Sequence, residues 1–168
     1  MTILGVPVRQ VSTGGPATVA LPTEVQFGIA RVLSLGIYGE FGRYIDSVET
    51  KKNSIALFGL APRLYLVNSD HFAWMLGLHA GATTLRIEDV DGLGSPTSKF
   101  SGSHFGISTG LRFLFGETVG LQLQLRYLAH QLPLREYELF DRVLDSKLYD
   151  ADLKARGFDV KLALHFRL

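Results

Sequence analysis

The sequence predicts an all-β fold, an eight-stranded antiparallel up-and-down β-barrel that crosses a membrane. Three observations carry that expectation. The first is strict alternation, clearest from Phe105 to Tyr127, where two segments flank Gly116-Glu117-Thr118. Phe105, Ile107, Thr109, Leu111, Phe113 and Phe115 share one face, continued by Val119, Leu121, Leu123, Leu125 and Tyr127. Successive side chains of a strand point to opposite faces, so this period of two reads as β-structure. The second observation is the contrast between the faces. Opposite the apolar face stand Gly106, Ser108, Gly110, Arg112, Gly120, Gln122, Gln124 and Arg126. An apolar face ending in aromatics, backed by glycine, amides and arginine, suits a strand with lipid outside and a polar lumen inside. The third is that connections alternate in length. Those at 68–70 and 116–118 are short, and those at 48–53, 88–98 and 131–157 are long, as an up-and-down barrel with one tight-turned end requires.

Taken in order, the strands are expected at 2–11, 17–30, 33–46, 54–67, 71–87, 99–115, 119–130 and 157–168. The first is weak, because Pro7 cannot donate to a ladder. Ser12-Thr-Gly-Gly-Pro16 is a turn signal. The alternation from Val25 to Phe41 continues without a slip, so a two-residue turn near Arg31-Val32, which preserves parity, splits it; one very long strand is the rival. Asn68-Ser-Asp70 marks a turn. Residues 131–156 read as a long loop. Leu139, Phe140, Val143, Leu144 and Leu148 repeat there at helical spacing, which predicts a short helix. Eight is the preferred count, the smallest common even number that closes a barrel.

Composition narrows the function classes. A chain of 168 residues makes one domain. Its formal net charge of +1 gives no field to steer nucleic acid, so none is expected as a partner. Cysteine is absent, which removes disulfides, thiolate metal sites and a cysteine nucleophile. No window of about 18–20 apolar residues supplies a transmembrane helix, but a barrel strand needs only about 9–11 alternating residues. The start, Met1 to Arg9, lacks the basic, apolar and small-residue segments of an export signal. An exported barrel needs one, and the expectation is that it has been removed or precedes the given start.

The chain resembles the small bacterial outer-membrane β-barrel family, the eight-stranded OmpA-like and OmpW-like group. Phe105–Tyr127 is similar to that group's penultimate hairpin, Leu33–Tyr44 to its earlier Gly/aromatic strands, and Val160–Leu168 to its terminal strand. The last departs in ending on Leu168 rather than an aromatic residue, with Phe166 close by. The resemblance implies a location in the Gram-negative outer membrane, with outer-membrane lipid, the barrel-assembly machinery acting on the C-terminal strand, and other envelope proteins as partners. It implies no cofactor and no single activity, because the group is diverse.

By parity the lumen-facing polar set is Tyr38, Glu40, Arg63, Tyr65, His79, His104, Arg112, Gln122, Gln124, Arg126, Lys161 and His165. A packed polar plug is the simplest expectation, because an eight-stranded interior is filled by side chains and buried charges must be paired. Cations exceed carboxylates in this set, which points either to an anion preference or to acidic partners from elsewhere. His130 with Glu136 invites comparison with a lipid-modifying hydrolase, but no serine adjoins His130, and Ser146 lies in the expected loop. The five histidines show no metal-ligand spacing. Glu88, Asp89 and Asp91 before Gly92 read as a solvated acidic loop rather than a calcium loop. The expected role is structural, adhesive or envelope-interacting, without enzymatic activity. A small-solute pore, a lipid-modifying enzyme and a soluble lipocalin-like binding barrel are the alternatives.

Overall fold

The computed structural model describes residues 2–3, 6–7, 18–44, 51–89, 96–116, 119–139, 142–144 and 152–166, and the regular structure among them is all strand. The strands are β1 (Thr2–Ile3), β2 (Val6–Pro7), β3 (Thr18–Ala30), β4 (Leu33–Tyr44), β5 (Lys51–Asn68), β6 (Phe72–Asp89), β7 (Thr97–Phe115), β8 (Val119–Leu139), β9 (Arg142–Leu144) and β10 (Asp152–Phe166). The seven long ones form a single antiparallel up-and-down sheet in the order β10-β8-β7-β6-β5-β4-β3, with β9 on the far end of β8. Each long strand pairs with its neighbours in the chain, so every turn is a hairpin.

The sheet is strongly curled. Four ladder steps separate β4 from β8, about 19 Å if the sheet were flat at about 4.8 Å per step. Arg126 on β8 nevertheless reaches Glu40 on β4 at 2.7 Å. Curling gives the sheet an inner and an outer face, and the alternation sorts residues between them. On β7, His104, Gly106, Ser108 and Gly110 are buried, while Phe105, Ile107 and Phe113 are exposed. The polar parity is therefore the inner one, a distinction that the pattern alone leaves open. Among the described residues no ladder joins the edges β3 and β10.

Short connections gather at one end. Arg31–Val32 turns β3 into β4, as the unbroken parity predicts. Between β5 and β6, the Ser69 backbone N–H donates to the Phe72 carbonyl at 2.8 Å, and the Phe72 N–H donates to Ser69 Oγ at 3.1 Å. Asn68 ties these two turns together by donating its side-chain amide to the Arg31 carbonyl at 2.7 Å. The third turn opens with Gly116 at φ 87°, a left-handed conformation that a Cβ disfavours. Inside the sheet, Gly59 and Gly81 face each other across the β5–β6 ladder. A Cβ on either would collide with the opposite backbone, so this pair sets how tightly the strands close.

The structure corrects several expectations. In the segment 2–11 the described residues form two short paired strands, Thr2–Ile3 and Val6–Pro7, in a sheet of their own, and among the described residues the long strands number seven. Residues 8–17 lie outside the described residues. The region 131–156 is not a loop throughout: β8 runs unbroken to Leu139, β10 begins at Asp152, and Arg142–Leu144 pairs with β8 instead of forming helix. Strands β5 and β6 likewise extend to Lys51 and Asp89, into segments read as loop. All these extensions lie at the end away from the short turns.

Replacing Gly116 with Ala should lower the unfolding free energy by about 1–2 kcal/mol, the cost of a left-handed L-residue, and Asn should cost less. Denaturant midpoints of the two variants measure the difference.

Candidate functional site

The inner face carries a continuous polar network, which is the candidate site. Its centre is Arg126, only 2% exposed. The guanidinium forms a bidentate pair with Glu40, NH1 to Oε1 at 2.7 Å and NH2 to Oε2 at 2.8 Å. Its Nε and NH2 also donate to Asp159 Oδ2, at 2.9 Å and 2.6 Å. Lys161 donates to Glu40 from β10. One arginine thus joins strands β4, β8 and β10, and its planar fork satisfies two carboxylates at once. Tyr38 packs against this cluster, with the Lys161 ammonium 5.6 Å and the Arg126 guanidinium 6.0 Å from its ring centre.

A chain of hydroxyls and imidazoles lies beside the cluster. The Tyr38 hydroxyl bonds His104 Nε2, and Thr83 Oγ1 lies 2.8 Å from His104 Nδ1 and 3.1 Å from His130 Nδ1. His79 Nε2 contacts Ser108 Oγ at 3.0 Å, and the Gln124 amide donates to that hydroxyl at 2.8 Å. Nearer the short turns, Arg63 pairs with Glu24 at 2.6 Å and donates to Gln122 Oε1 at 3.2 Å. The Arg112 guanidinium stacks over Tyr65 at 5.2 Å. Ser34 donates to Gln26 Oε1 at 2.8 Å, and Gln26 donates to the Ala61 carbonyl at 3.0 Å.

The structure therefore places Tyr38, Glu40, Arg126 and Lys161 in one cluster, and His79 and Gln124 in a second patch. Arg63, Gln122, Tyr65 and Arg112 lie toward the turns. The His165 side chain, the Asp89 side chain, Asp91, Gly92 and Ser146 lie outside the described residues. Glu88 pairs with Arg86 at the surface at 3.0 Å. Glu136 pairs with Lys99 at 3.1 Å, so it does not orient His130, whose described side-chain partner is Thr83.

Two carboxylates were missed by sequence reasoning, Glu24 and Asp159. Both were within reach of it, since each sits two positions from an inward residue, Gln26 and Lys161. With them, Arg63, Arg112, Arg126 and Lys161 face three carboxylates among the described residues, and the surplus of cations falls to one. Also missed were two small apolar clusters packed within the network. Tyr38, Leu57, Ala61 and Leu128 form a buried cluster beside the ionic centre, Leu57 standing directly opposite Glu40, and Tyr65, Ala73 and Met75 form another nearer the turns. Polar and apolar side chains thus fill the same interior.

The chain matches no family model, and no curated protein and no solved structure is similar to it.

Glu40→Gln should be the most costly single change in the network. It leaves Arg126 with Asp159 alone and removes the carboxylate that Lys161 pairs with, an expected loss of about 3–5 kcal/mol. Asp159→Asn, at a partly exposed site, should cost about 1 kcal/mol. Urea unfolding of both variants checks the order.

Proposed function

We propose that the chain is a bacterial outer-membrane β-barrel, closed by an eighth strand between β3 and β10 outside the described residues, with a plugged lumen and a structural, adhesive or envelope-interacting role. The observation that carries the proposal is the outer face. From Phe105 to Phe115 it spans about 33 Å of strand at about 3.3 Å per residue, or about 25 Å of height at a tilt of about 40°. That height equals the apolar band of known transmembrane barrels.

Aromatic residues edge the band. Phe41, Phe58, Phe105, Tyr127 and Phe158 lie toward the long connections, and Phe27, Phe72, Trp74, Phe113 and Phe115 toward the turns. Between them the outward positions carry no charge: Leu33, Leu35 and Ile37 on β4, Leu60 and Leu64 on β5, Leu76 and Leu78 on β6, Leu123 and Leu125 on β8, and Val160, Leu162 and Leu164 on β10. Phe41 is 71% exposed and Phe158 76%, whereas Glu40 is 3% and Arg126 2%. A protein dissolved in water favours the reverse arrangement, because apolar area gains about 25 cal/mol per Å² by leaving water and an exposed patch of this extent marks an interaction surface. A soluble lipocalin-like barrel is disfavoured on the same ground.

Ion pairs that cross the interior, Arg126 with Glu40 and Arg63 with Glu24, favour a closed lumen over a pore. The partners follow from the resemblance: outer-membrane lipid, the assembly machinery at the C-terminal strand, and other envelope proteins.

Protein purified in detergent should migrate differently on a gel before and after boiling, as folded barrels do. A chain that folds and stays soluble in plain buffer would contradict the membrane reading. In planar bilayers the wild type should give no steady conductance, and discrete channel openings would favour the pore.

A further inference from the structure

Three imidazoles lie side by side in the interior, and the proposed envelope role uses none of them. His104 and His130 are directly opposed on the β7–β8 ladder, with ring centres 5.6 Å apart. Both turn Nδ1 to the same hydroxyl, Thr83 Oγ1 on β6, at 2.8 Å and 3.1 Å. His104 Nε2 bonds the Tyr38 hydroxyl on β4, three ladder steps away, so this contact crosses the interior instead of following a ladder. His79 stands edge-on to Tyr38, with ring centres 5.3 Å apart. Its Nε2 meets Ser108 Oγ at 3.0 Å and the Gln124 amide at 3.2 Å. The layer therefore ties β4, β6, β7 and β8 together through hydroxyl, amide and imidazole groups.

Its surroundings suit neutral rings. The described hydrogen-bond partners of the three imidazoles include no carboxylate. Besides Tyr38 and one another, the titratable and charged groups that face them are Arg126 on β8, Lys161 and Asp159 on β10, Glu40 on β4 and Arg63 on β5. The two carboxylates are already engaged, Glu40 by Arg126 and Lys161, and Asp159 by Arg126. The Arg126 guanidinium and the Lys161 ammonium stand by the same Tyr38 ring that His79 and His104 touch. His79 is fully buried and its Nδ1 has no hydrogen-bond partner, so an imidazolium there buries an unpaired N–H close to fixed cations.

We propose that this layer is an acid-sensitive latch: with its rings neutral it holds four strands together across the interior, and when the rings take up protons the tie is released and the interior opens. An imidazole in water is half protonated near about pH 6.5, whereas the closed interior offers the added charge no free counterion. The open form therefore binds more protons than the closed one, and the closed form loses ground as pH falls below about 6.5. Each ring that is neutral when closed and free when open shifts the balance toward opening by about 30-fold between pH 7.5 and 5.0. Free Asp and Glu titrate near about pH 4, below this window, and the chain has no cysteine. The latch rests on the interior contacts alone and not on the membrane reading.

The test is urea unfolding of the full chain, folded in a nonionic detergent and followed by circular dichroism, at pH 7.5 and at pH 5.0. The unfolding constant of the wild type should rise at least about 100-fold between the two, the contribution of more than one ring. The double variant His104→Gln/His130→Gln should show a rise at least about tenfold smaller, whatever its stability at pH 7.5. His71→Gln, at the exposed turn between β5 and β6, should leave the wild-type rise unchanged. A wild-type rise of less than about tenfold overturns the latch, and needs no variant to fold. A double variant that keeps the full rise overturns it as well. Neither result touches the gel shift on boiling, which tests the barrel; a chain that lacks that shift and folds in plain buffer sinks the membrane reading, and the same pH comparison in that buffer still decides the latch.

Discussion

Arg126 cannot enter a low-dielectric interior alone, and the shape of the sheet follows from what it needs there. Removing a guanidinium from water costs several kcal/mol unless the geometry of its partners is good. Here the partners are Glu40 on β4 and Asp159 on β10, on either side of β8. A flat sheet holds Glu40 far out of reach, so satisfying the charge requires the curl, and the curl in turn exposes the opposite, apolar parity. Inner ion pairing and outer apolarity are two results of the same constraint. The facing Gly59 and Gly81 allow the strands to approach closely enough for the inner side chains to meet.

Hydrogen bonding extends this constraint along the interior. His104, Thr83 and His130 use hydroxyl and imidazole groups to satisfy one another, and His79, Ser108 and Gln124 do the same a few residues away. Leu57, opposite Thr83, and Leu128, two residues from His130, pack beside them, and Met75 and Ala73 lie nearer the turns. Opening any of these pairs leaves a further buried donor or acceptor unmet, beyond His79 Nδ1 and Gln124 Oε1, which have no hydrogen-bond partner.

How much of this was legible in the sequence depended on contrast between the two sides of a strand. Between the aromatic edges one side is apolar and the other polar, and there the strands, the turn at Arg31–Val32 and the inward set from Tyr38 to Lys161 can be read from parity. Beyond His130 the contrast vanishes. Gln131, Arg135 and Glu136 are polar on the outer side, while Leu132 is buried on the inner one, so the rule that works lower down inverts. The extension of β8 to Leu139 reads as loop for that reason, and of the apolar repeat that predicts a helix, the described part at Arg142–Leu144 pairs with β8 as strand. Partner identity was hidden for a different reason. Nothing local to Asp159 or Glu24 says which strand will face it, because those pairs cross the interior rather than a ladder.

The separation of these contacts along the chain bears on the order of assembly. Hairpins between consecutive strands form from neighbouring sequence, whereas Glu40 meets Arg126 86 residues later and Lys161 121 residues later. Closing such long loops carries an entropic cost that must be met before the contacts return anything. The ladders therefore zip first and the ionic centre last, when β10 arrives. Glu40 and Arg126 can pair once β8 is in place, whereas Asp159 and Lys161 join them only with β10. Of the described strands, β10 comes latest in the sequence, and it supplies Asp159 and Lys161, the partners that complete the ionic centre.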